Sequence, residues 1–340
     1  MLCFLPGFIR GVVGLLLVVV NTCVWSVPIL SGAILKLLIP IKGFRVLMGR
    51  IVMFFASTWV YCNTLILKLL HRIKWEVTGL DDLKPKDWYL VISNHQTWTD
   101  IVVLQTVFHG KIPFLKFFLK KELIWVPLLG LCWWALDYPF MRRYSSSFLE
   151  KNPHLKGQDI KITRKACEKF RQSPVSVMNF LEGTRFTPEK HLRQKSPYNN
   201  LLNPKAGGIA FVLASMGEQL TAIVDVTIAY PKGDVHIWDF LCGKVDEIRV
   251  NVDIIKITPD LLGNYFDDPL FRSAFQSWVN QLWAAKDQTI YKLLGVSTDM
   301  VPSGSEIKIP TAEDIQKYLK EIEVYTIPAK SSKDNSLNIN

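Results

Sequence analysis

The sequence predicts an α/β core behind an N-terminal membrane-embedded two-helix segment. Three observations carry this expectation. From Lys74 onward, short apolar runs alternate with amphipathic segments, the pattern of strands interleaved with helices. The first 70 residues are apolar and acid-poor, with Asp81 the first aspartate, which is a membrane signal. From Val301 the chain turns polar and ends in a low-complexity run that has too little apolar surface to fold by itself. The 340 residues therefore divide into anchoring helices over 1–70, one folded domain over 71–295, and a polar, partly disordered tail over 296–340.

The formal charge of +10, with Lys and Arg beside apolar stretches, suits an anionic lipid surface or a phosphorylated substrate. No zinc-finger spacing, RNA-recognition signature or bZIP pattern accompanies the charge, so nucleic acid is not expected as a partner. The six cysteines are scattered without a C-x-x-C. They read as free thiols in a reducing compartment, and no structural zinc is implied.

The first element is the apolar stretch 8–40, long enough to span a bilayer, although Pro28 with Ser31-Gly32 also allows a shallow hairpin. A second stretch, 46–70, follows at once, which disfavours a signal peptide. Basic residues at Arg10, Lys36, Lys42, Arg45 and Arg50 surround the pair. Whether they span or lie in one leaflet, two helices return the chain to its starting side, expected to be cytoplasmic. Strands are expected over 74–79 and 88–93 and a helix over 101–108. An amphipathic helix over 159–172 leads to a buried strand over 175–180. Pro204-Lys205-Ala206-Gly207-Gly208 opens a helix to Met216. A third buried strand covers 220–230, alternating strands 235–240 and 248–257, and a long helix 268–294. In the tail, Ile315, Tyr318, Leu319 and Ile322 fall at helical spacing, fitting either a docked or a transient helix.

The chemistry-bearing residues fall at strand ends. In Asn94-His95-Gln96-Thr97-Trp98-Thr99-Asp100, His95 ends a strand and Asp100 opens a helix. A histidine so placed can take a proton from a hydroxyl while the carboxylate holds its tautomer and steadies the imidazolium. Alone, each also fits a structural role, Asp100 as a first-turn acid. Asn179-Phe180-Leu181-Glu182-Gly183-Thr184-Arg185 repeats the design, a strand running into a turn, and such loops are where ligands bind in α/β sheets. Gly183 lets the backbone approach a ligand, and Arg185 offers a planar fork for phosphate. A tight turn with a Glu182–Arg185 surface pair fits the local sequence equally. Phe140-Met141-Arg142-Arg143 is a third basic cluster, either a phosphate clamp or a membrane-facing edge.

Together these segments resemble the sequence blocks of the PlsC-type glycerolipid and lysophospholipid acyltransferases. Asn94-His95-x4-Asp100 matches the N-H-x4-D block. Lys120-Lys121-Glu122-Leu123, Pro127, Gly130 and Phe140-x-x-Arg143 resemble the second. Phe180 to Arg185 matches F-P-E-G-T-R with Leu181 in place of proline, and Ile223-Val224-Asp225-Val226-Thr227-Ile228 stands at the fourth without its proline. The resemblance covers about residues 70 to 295. The wording around Trp133-Trp134-Ala135-Leu136-Asp137 and Cys167-Glu168-Lys169-Phe170 looks close to the bacterial YihG branch.

The resemblance implies a glycerol-3-phosphate acyltransferase-like fold, a mixed sheet flanked by helices. It implies a membrane-bound O-acyltransferase moving an acyl group from acyl-CoA or acyl-carrier protein to a lysophospholipid, first 1-acyl-sn-glycerol-3-phosphate to give phosphatidic acid. Lysophosphatidylglycerol or lysocardiolipin are alternative acceptors, and a non-catalytic lipid-binding scaffold is the alternative outside enzymes. His95 and Asp100 would be catalytic. Glu182, Gly183, Thr184, Arg185 and Arg143, with Lys120 or Lys121, would hold the substrate phosphate. No cofactor or metal is implied, since the thioester is already activated, and His71, His109, His154, His191 and His236 show no ligand spacing around His95. The implied location is the bacterial inner membrane with the active site on the cytoplasmic side.

Overall fold

The computed structural model describes residues 2, 4–141, 158–171, 173–233 and 235–296. Arg143, His154 and the tail beyond Val296, with its helically spaced 315–322 segment, lie outside the described residues.

The apolar N-terminus forms two antiparallel helices, α1 (Gly7–Leu38) and α2 (Lys42–Leu70), both long and apolar enough to cross a membrane. Pro28 lies inside α1, which continues through it as one helix. Small residues let the two helices approach: a Cβ on Gly32 would come within 2.6 Å of Val52. Asn21 Nδ2 donates across the pair to Asn63 Oδ1 at 2.8 Å, satisfying a polar group on an otherwise apolar face.

The hairpin does not project away from the remaining chain. Near its start Phe8 meets Trp238 edge-on, with ring centroids 6.0 Å apart. At the end of α1 Lys36 pairs with Asp137 at 2.9 Å. A 32-residue helix is about 48 Å long, so α1 lies along the domain and touches it at both ends.

The domain continues through β1 (Lys74–Thr78), β2 (Tyr89–Ser93), α3 (Thr99–Phe108), β3 (Leu115–Phe117) and β4 (Leu119–Lys120). After a 3₁₀ turn, Lys121–Trp125, come α4 (Leu129–Ala135), β5 (Phe140–Met141), α5 (Gln158–Phe170) and β6 (Ser176–Phe180). Next are α6 (Pro188–Gln194), α7 (Gly207–Met216), β7 (Ala222–Ala229), α8 (Ile237–Leu241), β8 (Glu247–Ile255) and α9 (Pro269–Leu294).

Six strands form one mixed sheet in the order β1-β8-β7-β2-β6-β3. β7, β2, β6 and β3 run parallel, and β8 reverses against β7. The parallel strands are apolar on both sides because both faces are covered. Tyr89 and Val91 of β2 pack on the face carrying α1 to α4. Leu90 and Ile92 point to the face covered by α5, α7 and α9. The expectation of a mixed sheet flanked by helices holds.

One element differs. The 235–240 stretch, expected as a strand, contains the start of α8, and its alternating apolar pattern equally satisfies helical i, i+3 spacing through Ile237 and Phe240. Phe240 is buried there, and Trp238 sits against α1 at Gly11. Packing on α1 supplies the apolar contact that a strand would have sought in the sheet.

Candidate active site

The parallel register places the site. Ser93, the last residue of β2, stands level with Phe180 of β6 and Val226 of β7. The loops after β2 and β6 therefore leave the sheet side by side, as α/β architecture favours for a ligand crevice. Asn94 holds its loop to β7: its Oδ1 accepts from Ile228 N and its Nδ2 donates to Ile228 O, both at 2.9 Å. The side chain thus imitates a strand neighbour.

His95 and Asp100 meet as the sequence suggested. His95 Nδ1 lies 2.9 Å from Asp100 Oδ2, which also accepts from the amides of Gln96 at 2.7 Å and Thr97 at 2.9 Å. Asp100 Oδ1 accepts from Tyr230 Oη at 2.7 Å. Asp100 is fully buried, and these four donors compensate its desolvation. A carboxylate surrounded by donors can only accept from the imidazole, so Nδ1 carries a proton and the neutral tautomer has its lone pair on Nε2. The His95 ring stacks on Phe180, centroids 3.9 Å apart, and its side chain remains 12% exposed, enough for a reacting hydroxyl to reach it. Burial first, and then Asp100, raise the Tyr230 phenol well above its ordinary value, keeping it a donor.

Glu182 requires a correction. It is fully buried, accepting from His95 N at 2.7 Å and from Leu202 N at 3.0 Å, one amide per oxygen. That geometry removes it from contact with a substrate phosphate and from the alternative surface pair with Arg185. Its role is to tie the loops after β2 and β6 to the 198–202 segment. Burial pushes its carboxyl up to about 8, against the pull of the two amides.

The remaining turn faces outward. Gly183 has φ 67, a left-handed conformation that favours glycine. Arg185 is exposed with its guanidinium 4.6 Å above the Trp98 ring, a cation–π contact that leaves the fork edges open. Phe186 N donates to His95 O at 2.7 Å, bringing the Arg185 backbone beside the histidine. Thr184 Oγ1 accepts from Lys190 at 3.0 Å, so Lys190 adds a cation that the sequence reading missed. Lys120, on β4, and Lys121, opening the 3₁₀ turn, are exposed. Phe117, three residues before Lys120, lies 6.1 Å from the Phe180 ring, which puts Lys120 about 10 Å along the chain from that stack.

Tyr230 and the supports from α9 escaped the sequence reading. Asp287 accepts from the amides of Asn199 and Asn200, both at 2.9 Å, and Trp283 Nε1 donates to Leu202 O at 3.0 Å. Both fix the segment that holds Glu182. Lys286 is buried against Asp225 at 2.6 Å and donates to Val226 O at 2.7 Å, so Asp225 is a core ion-pair partner. A Tyr at the end of a buried strand and a Lys-Asp pair inside an apolar helix were the available signals.

Residues 74–230 match the Acyltransferase family model. This segment is an acyltransferase-family domain. Lysocardiolipin acyltransferase 1 of Danio rerio is 24% identical over 295 residues, covering 83% of this chain and 71% of that protein. Human 1-acyl-sn-glycerol-3-phosphate acyltransferase alpha is 30% identical over 120 residues, 35% of this chain and 38% of that protein. The crystal structure of the LPA acyltransferase PlsC from Thermotoga maritima aligns with a TM-score of 0.48 at 16% identity, over 84% of this chain and 97% of that one. Both of these curated relatives are acyltransferases named for lysophospholipid acceptors. In the 74–230 segment of this chain fall both the His95–Asp100 pair and the Glu182–Arg185 turn.

Proposed function

We propose that this acyltransferase moves a fatty acyl group from acyl-CoA or acyl-carrier protein to the free hydroxyl of a lysophospholipid, first of all 1-acyl-sn-glycerol-3-phosphate. The observation that carries the reading is the oriented His95, its Nε2 lone pair free, beside the exposed Arg185 turn. Nε2 takes the hydroxyl proton as the oxygen attacks the thioester carbonyl. The tetrahedral intermediate collapses, the C–S bond breaks, and the imidazolium returns its proton to the departing thiolate. Asp100 steadies the imidazolium throughout. Arg185, Thr184 and the Gly183 backbone take the substrate phosphate, with Lys190, Lys120, Lys121 and Arg143 adding positive charge. No cofactor or metal enters this scheme.

Lysophosphatidylglycerol or lysocardiolipin is the second reading of the acceptor, favoured by the lysocardiolipin acyltransferases whose likeness extends over most of the chain. A purified-protein assay over a panel of lysolipids with one acyl donor, read by mass spectrometry of products, separates the two. Loss of all transfer in wild type would sink both and favour a lipid-binding scaffold.

The hairpin is read as lying within one leaflet. A helix crossing the bilayer has its ends on opposite faces of an approximately 30 Å hydrocarbon layer, whereas both ends of α1 rest on one folded domain. The outer faces of α1 and α2 expose Phe8, Val20, Val27, Leu38 and Phe54, the surface that would enter lipid. This arrangement brings a bilayer-resident lysolipid to the site without extraction into water, on the cytoplasmic face of the membrane. Protein lacking residues 1–70 should no longer sediment with membranes; full retention would overturn the anchor.

A further inference from the structure

Beyond the β3 edge of the sheet, the end of α1, the start of α2, the turn after α4 and helix α5 border an open cavity of about 310 Å³. None of its lining belongs to the His95 or Glu182 loops. Among the described residues, Lys36, Arg45, Lys165 and Lys169 bring four cations to its wall, and Asp137 is the lining's one carboxylate. Each oxygen of that carboxylate already has a lysine: Oδ2 accepts from Lys36 at 2.9 Å and Oδ1 from Lys169 at 2.6 Å. Arg45 and Lys165 have no side-chain partner among the described residues.

Behind the cavity sits a fifth cation. Lys116 of β3 is buried over the Phe170 ring, 5.2 Å from its centroid. Burial pulls its ammonium down to about 8; Asp137 opposes that pull, while Lys36 and Lys169 add to it. Five cations near one carboxylate, Lys116 buried and the other four reaching solvent beside apolar side chains, form a positive field that is stabilised by an anion of more than one charge or several acceptor oxygens. The apolar wall supplies the second half of the argument. Trp134 and Leu37 line the cavity and are both exposed, and Leu38 and Ile41 continue that exposed apolar surface around the hairpin turn. A ligand seated here has cations at one end and a lipid-facing surface at the other.

We propose that this cavity binds a phosphate group other than the one handled beside His95, with the headgroup of an anionic bilayer lipid as its source. The lipid phosphate takes Arg45 and Lys165, with Lys36 and Lys169 sharing it with Asp137, and the acyl chains lie along Leu37, Leu38 and Ile41. Such a contact fixes the hairpin turn to the domain and orients the enzyme on a negatively charged membrane. It goes beyond the acyl-transfer reading, and its test reads binding, not turnover.

The test uses the purified full-length chain with acetylation footprinting of Lys165 and Lys169. Its arms are phosphatidylcholine vesicles, the same vesicles containing phosphatidylglycerol, and inorganic phosphate without vesicles. Native mass spectrometry counts retained lipid. Phosphatidylglycerol vesicles should protect both lysines and leave the lipid bound, and phosphatidylcholine should do neither. Lys165→Ala with Lys169→Ala should weaken retention roughly 25-fold, about fivefold per lysine removed. Lys232→Ala with Lys244→Ala, two exposed lysines elsewhere, should leave it unchanged. Arg45→Ala gives the same reading from the other wall if the double variant does not fold. Protection by inorganic phosphate equal to that by phosphatidylglycerol would support the phosphate site and assign it a soluble source. Equal protection by both vesicles, or equal loss in the Lys232/Lys244 control, would overturn the proposal.

Discussion

Tyr230 Oη donates to Asp100 Oδ1 at 2.7 Å, on the oxygen that His95 does not use. The strand β7 thereby clamps the carboxylate that orients the imidazole. In Tyr230→Phe one buried oxygen loses its donor, at a cost of about 1–2 kcal/mol in stability. With the orienter loosened, kcat should fall roughly ten- to a hundredfold while KM for the lysolipid stays near wild type. His95→Ala should lose roughly 10²–10⁴-fold. Steady-state kinetics beside a thermal melt check both, and full transfer by His95→Ala would remove the general base.

Glu182 acts through the His95 backbone and so differs from a phosphate ligand. In Glu182→Gln one amide N–H would face the new NH₂ instead of an acceptor, destabilising the fold by about 1–3 kcal/mol. The expected kinetic signature is a lower kcat with little change in KM. A rise in KM alone, with an unshifted melt, would return Glu182 to the substrate.

The Lys286–Asp225 pair is buried on both sides. Lys286→Met alone strands a carboxylate in the core and should cost roughly 3–5 kcal/mol; adding Asp225→Leu should recover most of it, since an apolar pair replaces a buried ion pair at little net cost. Denaturant unfolding of the two variants measures the difference. A double variant as unstable as the single would mean that the Lys286 bond to Val226 O matters more than the charge pair.

Lys116 sets a pH dependence. Its ammonium titrates near 8 in the fold and near 10.4 when unfolded. Between those values the unfolded chain binds more protons, so this group makes stability rise with pH from about 8 to about 10 and adds a constant penalty below 8. Lys116→Met should stabilise the protein at pH 7 and flatten that rise, as read from unfolding midpoints across the range. A midpoint that falls over the same range in wild type, with no change in slope on substitution, would contradict the burial of the charge.

The legible part of the site was what one loop holds within itself. His95 and Asp100 are five residues apart, and Gly183 and Arg185 sit in one turn, so local spacing was enough to pair them. The inward turn of Glu182 was not legible, because its acceptors' partners, the amides of His95 and Leu202, come from two other segments. The same holds for Lys36 and Asp137, 101 residues apart. The 235–240 stretch was misread because two periodicities fit six residues equally, and contact with α1 chose between them.

By itself the sequence determined the class of elements, the apolar hairpin and the two strand-end clusters, because periodicity, turn residues and loop spacing are local properties of the chain. Tertiary structure alone decided which groups face the ligand and which support it. The physical reason is register: parallel pairing of β2 with β6 and β7 sets Ser93 level with Phe180 and Val226. That alignment carries Tyr230 to Asp100, Phe180 beneath His95 and Glu182 under its amide, assigning each polar side chain a partner that no local pattern contains.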